Sequence, residues 1–260
     1  MSLKLVSLAS GSKGNATLVY SDSTALLVDA GISYPKLCEE LDAFGLTPSM
    51  LDGVVVTHEH TDHIRALPRL CGQCRLYAHP LTAREIYNRQ GAIKNVADVE
   101  GFEKGFTVGD IEVSPFSVSH DAVRPLAYSF RSGNARCSVA TDIGVPTFGI
   151  LRNIKDSEVV LLEANHDVDM LKNGSYPYVL KSRILSDTGH LSNDATGRIV
   201  AKLSGNSNVK HILLGHISEN NNTEMCAYET VCSALKNCGD STINLHVAHQ
   251  HTRSEVFEIL

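Results

Sequence analysis

A four-layer αββα sandwich of the α/β (α+β) class is the architecture this sequence predicts, and three observations predict it. The first part of the chain opens with closely spaced strand-like runs separated only by turn residues, Gly11 to Asn15 and Ser21 to Ser23, which suits hairpins. Later strand-like runs are separated by stretches of helical periodicity. Runs such as VVVT at 54–57 are apolar on both faces and need cover on both sides. Two sheets packed face to face with helices outside satisfy all three. With no long linker, low-complexity segment or short-period repeat, the chain reads as one domain over residues 1–260.

The strands are expected at 3–9, 16–20, 24–28, 53–57, 111–117, 126–131, 136–140, 158–162, 209–214, 243–247 and 255–260. Helices are expected at 33–44, 63–71, 80–88, 192–204 and 223–237. Start signals support several of the helices: Pro80, the Ser192-Asn193-Asp194 run and Thr223-Glu224; Pro146 marks a further first turn. Hydrophobic content of 43% and charged content of 20% describe an ordinary globular protein, and no apolar run approaches the roughly 20 residues of a membrane span. The start of the chain lacks a signal-peptide core, and the seven scattered cysteines form no disulfide framework, so a cytoplasmic address is expected. Cys71 and Cys74 form a CxxC with no second pair to complete a structural zinc site. The net charge of −6 argues against a broadly basic nucleic-acid-binding surface, although bound cations would supply local positive charge for phosphate.

Chemistry concentrates in 54-VVVTHEHTDHIRAL-67. In an extended segment leaving a strand, positions i and i+2 lie on one side, so His58 and His60 can share an ion; a helix would separate them by about 200°. Asp62 and His63 then fall where the chain turns into a helix and can serve a second ion. Six residues cannot complete two coordination shells. His120, Asp142 and His216 each stand just past an apolar strand, in 111-IEVSPFSVSH, 136-RCSVATD and 209-VKHILLGH, where an α/β fold gathers a site from distant sequence.

With these motifs in place, the chain resembles the metallo-β-lactamase superfamily over nearly its whole length. Asp29, ending 25-ALLVD, looks like the acid that orients the metal loop without being a ligand, and 58-HEHTDH-63 matches the HxHxDH signature. The resemblance implies His58, His60 and His120 on one divalent metal and Asp62, His63 and His216 on a second, with Asp142 and a water bridging them. Two such ions lower the pKa of the bridging water toward neutrality and clamp the oxygens of a displacement at phosphorus. Nitrogen and carboxylate donors suit zinc or manganese, with iron also compatible.

Further stretches bear on the substrate. His190, in 186-SDTGHLSND-194, is surplus to the ligand set. A similar histidine in RNase Z nucleases works with an acid to protonate the leaving oxygen, and Glu163 is the candidate partner, raising the imidazole pKa. His166 is the lesser candidate for the same task. Ser218, Asn220, Asn221 and Asn222 are neutral donors suited to phosphate oxygens, as are Ser12 and Asn15 in the glycine-rich turn. Lys181 and Arg183 stand ready for a nucleic-acid backbone. SGSKGN, LEANHD, YPYVLKSRILSDTGHLSN and LGHISENNN together resemble the single-domain YycJ/WalJ-type hydrolases, which implies a 5′-to-3′ exonuclease acting on DNA ends. The motif spacing holds neither the β-CASP insertion of related nucleases nor a long RNase Z-type arm, which points away from tRNA maturation. The alternatives are hydrolysis of a small thioester, lactone or cyclic phosphodiester, and a non-enzymatic metal-bound regulator.

Overall fold

The structure, a computed structural model, describes residues 2–91, 96–98, 105–239 and 242–260. Strands β1 (Leu3–Ala9), β2 (Ala16–Tyr20) and β3 (Ala25–Val28) form an antiparallel meander. From β3 onward the pairing turns parallel, through β4 (Gly53–Val55), β5 (Leu76–Ala78) and β6 (Val96–Asp98). The second sheet repeats this plan. Strands β7 (Phe106–Val108), β8 (Ile111–Ser117), β9 (Leu126–Ser132) and β10 (Ala135–Ala140) are antiparallel, and β11 (Val159–Glu163), β12 (His211–Gly215) and β13 (Asn244–Val247) extend β10 in parallel. The last strand, β14 (Phe257–Ile259), returns to pair with β1.

Alternation along the strands builds three core layers, because successive side chains point to opposite faces. In β3, Leu26 and Val28 face the other sheet, and Ala25 and Leu27 face outward. In β11, Val159 and Leu161 point between the sheets, and Val160 and Leu162 point away. The outer face of the first sheet is covered by α1 (Tyr34–Asp42), α2 (Thr61–Ile64), α3 (Leu67–Leu70) and α4 (Pro80–Gln90), through Leu37, Leu41, Ile64, Leu67 and Ile86. The second is covered by α5 (Phe148–Ile154), α8 (Asn193–Leu203) and α9 (Glu224–Lys236), through Ile150, Ile199, Leu203 and Val231. The short helices α6 (Val168–Asn173) and α7 (Tyr178–Ile184) lie between β11 and α8. Apolar burial on both faces thereby offsets the cost of removing these strands from water. This is the fold of four layers expected from the sequence. Among the described residues no helix is long and apolar enough to cross a membrane.

The expected helix at 63–71 is two: α2 ends and α3 begins around Ala66, with Pro68 in the first turn of α3. Proline fits a first turn but breaks the ladder of a continuous helix. Helices α8 and α9 start at the anticipated caps, Ser192 Oγ accepting from the Ala195 N–H and Thr223 Oγ1 from the Cys226 N–H. Strands β5, β6 and β7 and helices α6 and α7 are additions to the elements read from the sequence, and α5 follows the turn marked by Pro146, with Thr147 as its N-cap.

Candidate metal centre

The parallel strands of both sheets end on one edge, and the turns there carry the site. Asp29 follows β3, the 58–63 turn follows β4, Asp142 follows β10, Glu163 ends β11 and His216 follows β12. Three non-glycine residues with left-handed backbone are Asp29 (φ 60°), Asp142 (φ 58°) and His216 (φ 54°). An L-residue avoids that region unless its surroundings hold it there. Each lets the chain turn sharply off its strand while the side chain stays aimed into the edge.

The glycines of the neighbouring turns permit the close approach. A Cβ on Gly31 would collide with the Asp62 carbonyl, which instead accepts from the Asn15 N–H at 2.8 Å. The Ala30 N–H donates to the His63 carbonyl at 2.7 Å. Thus the 58–63 turn is clasped between the β3 end and the 10–15 turn.

Four overlapping groups of side chains bring ligand atoms within reach of one another: His58, His60 and His120; His58, His63 and Asp142; Asp62, His63 and His216; and Asp142, Glu163, His190 and His216. His120 Nε2 lies 3.2 Å from His60 Nδ1 and 3.6 Å from Asp142 Oδ1. Asp62 Oδ2 lies 3.6 Å from both His63 Nε2 and His216 Nε2, and Asp142 lies 3.2 Å from His63 Nε2 and 3.4 Å from His216 Nε2. Two nitrogens each about 2.05 Å from a tetrahedral ion sit about 3.3 Å apart, so these spacings suit ligands around a cation. The orphaned atoms agree. His58 Nε2, His216 Nε2 and Asp142 Oδ2 are buried and lack hydrogen-bond partners, a costly state for polar atoms unless an ion completes them. The residues present therefore fit two divalent cations.

The far side of each ring is held. Asp29 accepts from the Thr57 N–H and Oγ1, both at 2.8 Å, and from His63 Nδ1 at 2.7 Å. Thr57 Oγ1 lies 3.0 Å from His58 Nδ1, and His120 Nδ1 donates to the Gly189 carbonyl at 3.0 Å. Glu163 Oε1 takes His190 Nδ1 at 2.7 Å and faces His216 Nδ1 at 3.2 Å, while Oε2 accepts the Ile143 and Leu191 N–H groups at 2.7 and 3.2 Å. Such outer contacts fix ring orientation and tautomer.

Charge is balanced within the cluster. Burial pushes the carboxyls up, but the imidazoles outweigh it: His216, His63 and His58 hold Asp142 well below the usual carboxylate range, and His190 and His216 bring Glu163 to about 2. Burial lowers His216, yet Asp142, Asp62 and Glu163 raise it to about 10; likewise Asp142, Asp29 and Asp62 hold His63 well above its ordinary value. His58, with burial first and the neighbouring imidazoles second, falls well below 6.5. Metal ions would take the lone pairs that protons hold on these imidazoles, so metal binding competes with protons.

The ligand atoms open into a cavity of about 220 Å³ whose lining includes Ser12, Arg183, His190 and Ser218, together with Tyr176 and Leu180. Of the residues expected to contact substrate, these first two and Ser218 face it. Asn15 commits its amide to its own turn, accepting from the Gly11 N–H at 2.9 Å and donating to the Gly11 carbonyl at 3.1 Å, with Nδ2 3.1 Å from His63 Nε2. Asn222 donates to the Ala164 and Asn165 carbonyls and to Asn193 Oδ1. Asn220 donates to the Tyr176 hydroxyl at 2.9 Å, Asn221 is buried, and the Lys181 amine donates to the Lys172 carbonyl at 2.8 Å. Neither ring nitrogen of the buried His166 has a partner, and burial lowers its pKa to about 4. Sequence reading passed over Asp121, which grips the Arg183 guanidinium with both oxygens and lies 3.4 Å from His120 Nε2. It also passed over Asn165, 3.2 Å from His216 Nδ1. The available signal was closeness in the chain to His120 for Asp121 and to Glu163 for Asn165.

Residues 24–217 match the family model described as the beta-lactamase superfamily domain. The chain belongs to the metallo-β-lactamase superfamily. Within that superfamily it is 38% identical over 233 residues to exodeoxyribonuclease WalJ of Streptococcus pneumoniae, covering 88% of this chain and 86% of the relative. It is also 38% identical over 251 residues to exodeoxyribonuclease YycJ of Bacillus anthracis, covering 92% and 91%. The metallo-β-lactamase fold protein YhfI of Bacillus subtilis superposes with a TM-score of 0.70 at 16% identity, over 99% of this chain and all of that one. The chain is a metal-dependent hydrolase.

Proposed function

We propose that this hydrolase is a two-metal phosphodiesterase that degrades DNA from an end, 5′ to 3′. One observation carries the reading: a cavity-lining imidazole, His190, stands beside the metal-ligand groups with its Nδ1 held by the buried Glu163 carboxylate at 2.7 Å. The relatives' activity on DNA supports it. His58, His60 and His120 would hold one cation, Asp62, His63 and His216 the other, and Asp142 would serve both. Zinc or manganese, with iron as a further fit, would polarise phosphate oxygens and make a water nucleophilic near neutrality.

The chain's own groups supply the rest. With Nδ1–H donated to Glu163, the His190 Nε2 is the ring atom left for the substrate, and a proton there passes to the departing oxygen as the P–O bond breaks. Arg183 uses Nε and Nη2 on Asp121, leaving Nη1 for a phosphate oxygen. Ser12 and Ser218 add hydroxyl donors at the cavity wall. The test is incubation of metal-loaded protein with end-labelled duplexes bearing 5′-phosphate or 5′-hydroxyl. Mononucleotides released progressively from the 5′ end are expected. Intact duplexes alongside rapid thioester or lactone hydrolysis would overturn the DNA reading in favour of a small substrate.

A further inference from the structure

The 10–15 turn has two faces. Ser12 lines the metal cavity, whereas the next two residues, Lys13 and Gly14, line a separate groove of about 380 Å³. Its lining is mostly apolar, with Ala9 and Ile32 contributing, and its other residues include Lys36, Arg65 and His251. Lys13, Lys36 and Arg65 carry the positive charge here, and His251 is paired with Glu219. Lys13 is paired with Glu219, and Lys36 with Glu39 and Glu40. Lys13 is exposed, so its pair is weak and exchangeable for phosphate, whereas Lys36 is held by the buried Glu40 carboxylate. Among the described residues no carboxylate pairs with Arg65, which is exposed. The Gln250 amide also lines the groove; its Oε1 is buried without a partner, and the side chain is pressed against Gly11, where a Cβ would collide with it.

We propose that this groove receives the part of a single nucleic-acid strand that continues away from the cleaved bond, a reading that rests on the phosphodiester substrate inferred above. The strand crosses the 12–14 turn. A base lies on the apolar lining against Ile32, its polar edge within the field of the Gln250 amide, and the strand's phosphates meet Lys13 and Arg65. Cations that track the backbone bind a single strand without reading its sequence.

Arg65→Glu and Lys13→Ala, both at the surface, test this in the metal-loaded full chain. Two readouts are used: turnover of an oligothymidylate 12-mer and of bis-p-nitrophenyl phosphate, and fluorescence anisotropy with a phosphorothioate 12-mer. The expected result for Arg65→Glu is a rise of about tenfold in KM and Kd for the 12-mer, with the slope of log Kd against log salt falling by about 0.7 for each phosphate no longer neutralised. Turnover of bis-p-nitrophenyl phosphate, too small to reach the groove, stays at the parent level. An unchanged 12-mer Kd in both variants would overturn the proposal, and so would polyglutamate displacing the 12-mer from the parent but not from Arg65→Glu. If the parent binds the 12-mer through Arg65 yet cleaves no DNA, the groove stands and the exonuclease reading falls. If it neither binds nor cleaves, both fall.

Discussion

Asp29 and Glu163 are buried carboxylates, one in each half, that do similar work with different reach. Each stands at the end of a parallel strand and accepts a backbone N–H beyond the neighbouring strand, Thr57 for Asp29 and Ile143 for Glu163. Each also takes an imidazole Nδ1 at 2.7 Å. The ring on Asp29 is His63, whose Nε2 belongs to the ligand groups. Glu163 instead holds His190 and, at 3.2 Å from the same oxygen, His216. On the proposed function, the first half would hold metal alone, whereas the second would join metal holding to proton handling through one oxygen atom.

The largest effect should come from breaking the shared oxygen. Glu163→Ala strips the acceptor from His190 and His216 and leaves the buried Ile143 and Leu191 N–H groups unpaired. Metal affinity is expected to fall by about 10–100-fold, and kcat to fall at saturating metal by at least as much as in His190→Ala. Isothermal titration with zinc, together with turnover at saturating metal, separates the two losses. Parent-level metal affinity would mean that Glu163 serves His190 only.

His190→Ala isolates the proton. It should keep both metals, counted by mass spectrometry of the dialysed protein, and lose about 10²–10⁴-fold in kcat. The loss should be smallest for bis-p-nitrophenyl phosphate, whose nitrophenolate leaves without protonation. Equal losses on that ester and on DNA would assign His190 to binding instead.

Asp29→Asn is the counterpart in the first half. It weakens the hold on His63 and Thr57, so zinc affinity should drop by about 10–100-fold while kcat at saturating metal stays at the parent level. A kcat loss that excess metal does not restore would erase the contrast between the halves.

The site was more legible in the sequence than its support was. His58, His60, Asp62 and His63 crowd one turn after an apolar strand, and His120, Asp142 and His216 each follow another, so strand ends announce them. Lys181 shows the limit. A lysine two positions from Arg183 reads as a partner in phosphate binding, but on a helix residues two apart diverge, and its amine instead caps the Lys172 carbonyl. Asp121 was hidden for the converse reason: its importance comes from Arg183, 62 positions away. The overlooked strands β5, β6 and β7 have three residues each, too few for an alternating pattern to register. The left-handed backbone at Asp29, Asp142 and His216 arises from the turns around them; Asp and His are enriched there, but too weakly to single out these three from the sequence.

The smallest expected effect lies far from the metal groups, where the halves are stapled at Asp110. This carboxylate in the β7–β8 turn accepts the hydroxyls of Ser21, Ser23 and Thr24, at 2.7, 2.8 and 2.7 Å, from the β2–β3 turn of the other sheet, and of Ser132 at 2.8 Å. Burial pushes its pKa up, but these four hydroxyl donors bring it well below the ordinary 3.8. A carboxyl lowered on folding stabilises the protein above its unfolded value and loses that contribution as pH falls below 3.8 toward the folded one. Asp110→Asn should therefore cost about 1–2 kcal/mol at pH 7, the range for hydrogen bonds to a charged group reduced for partial exposure. Urea midpoints at pH 7, 5 and 3 should show the difference between parent and variant constant at the first two and smaller at the third. Metal affinity and kcat should not move, since the staple joins the sheets without touching the edge where the two halves meet over the substrate.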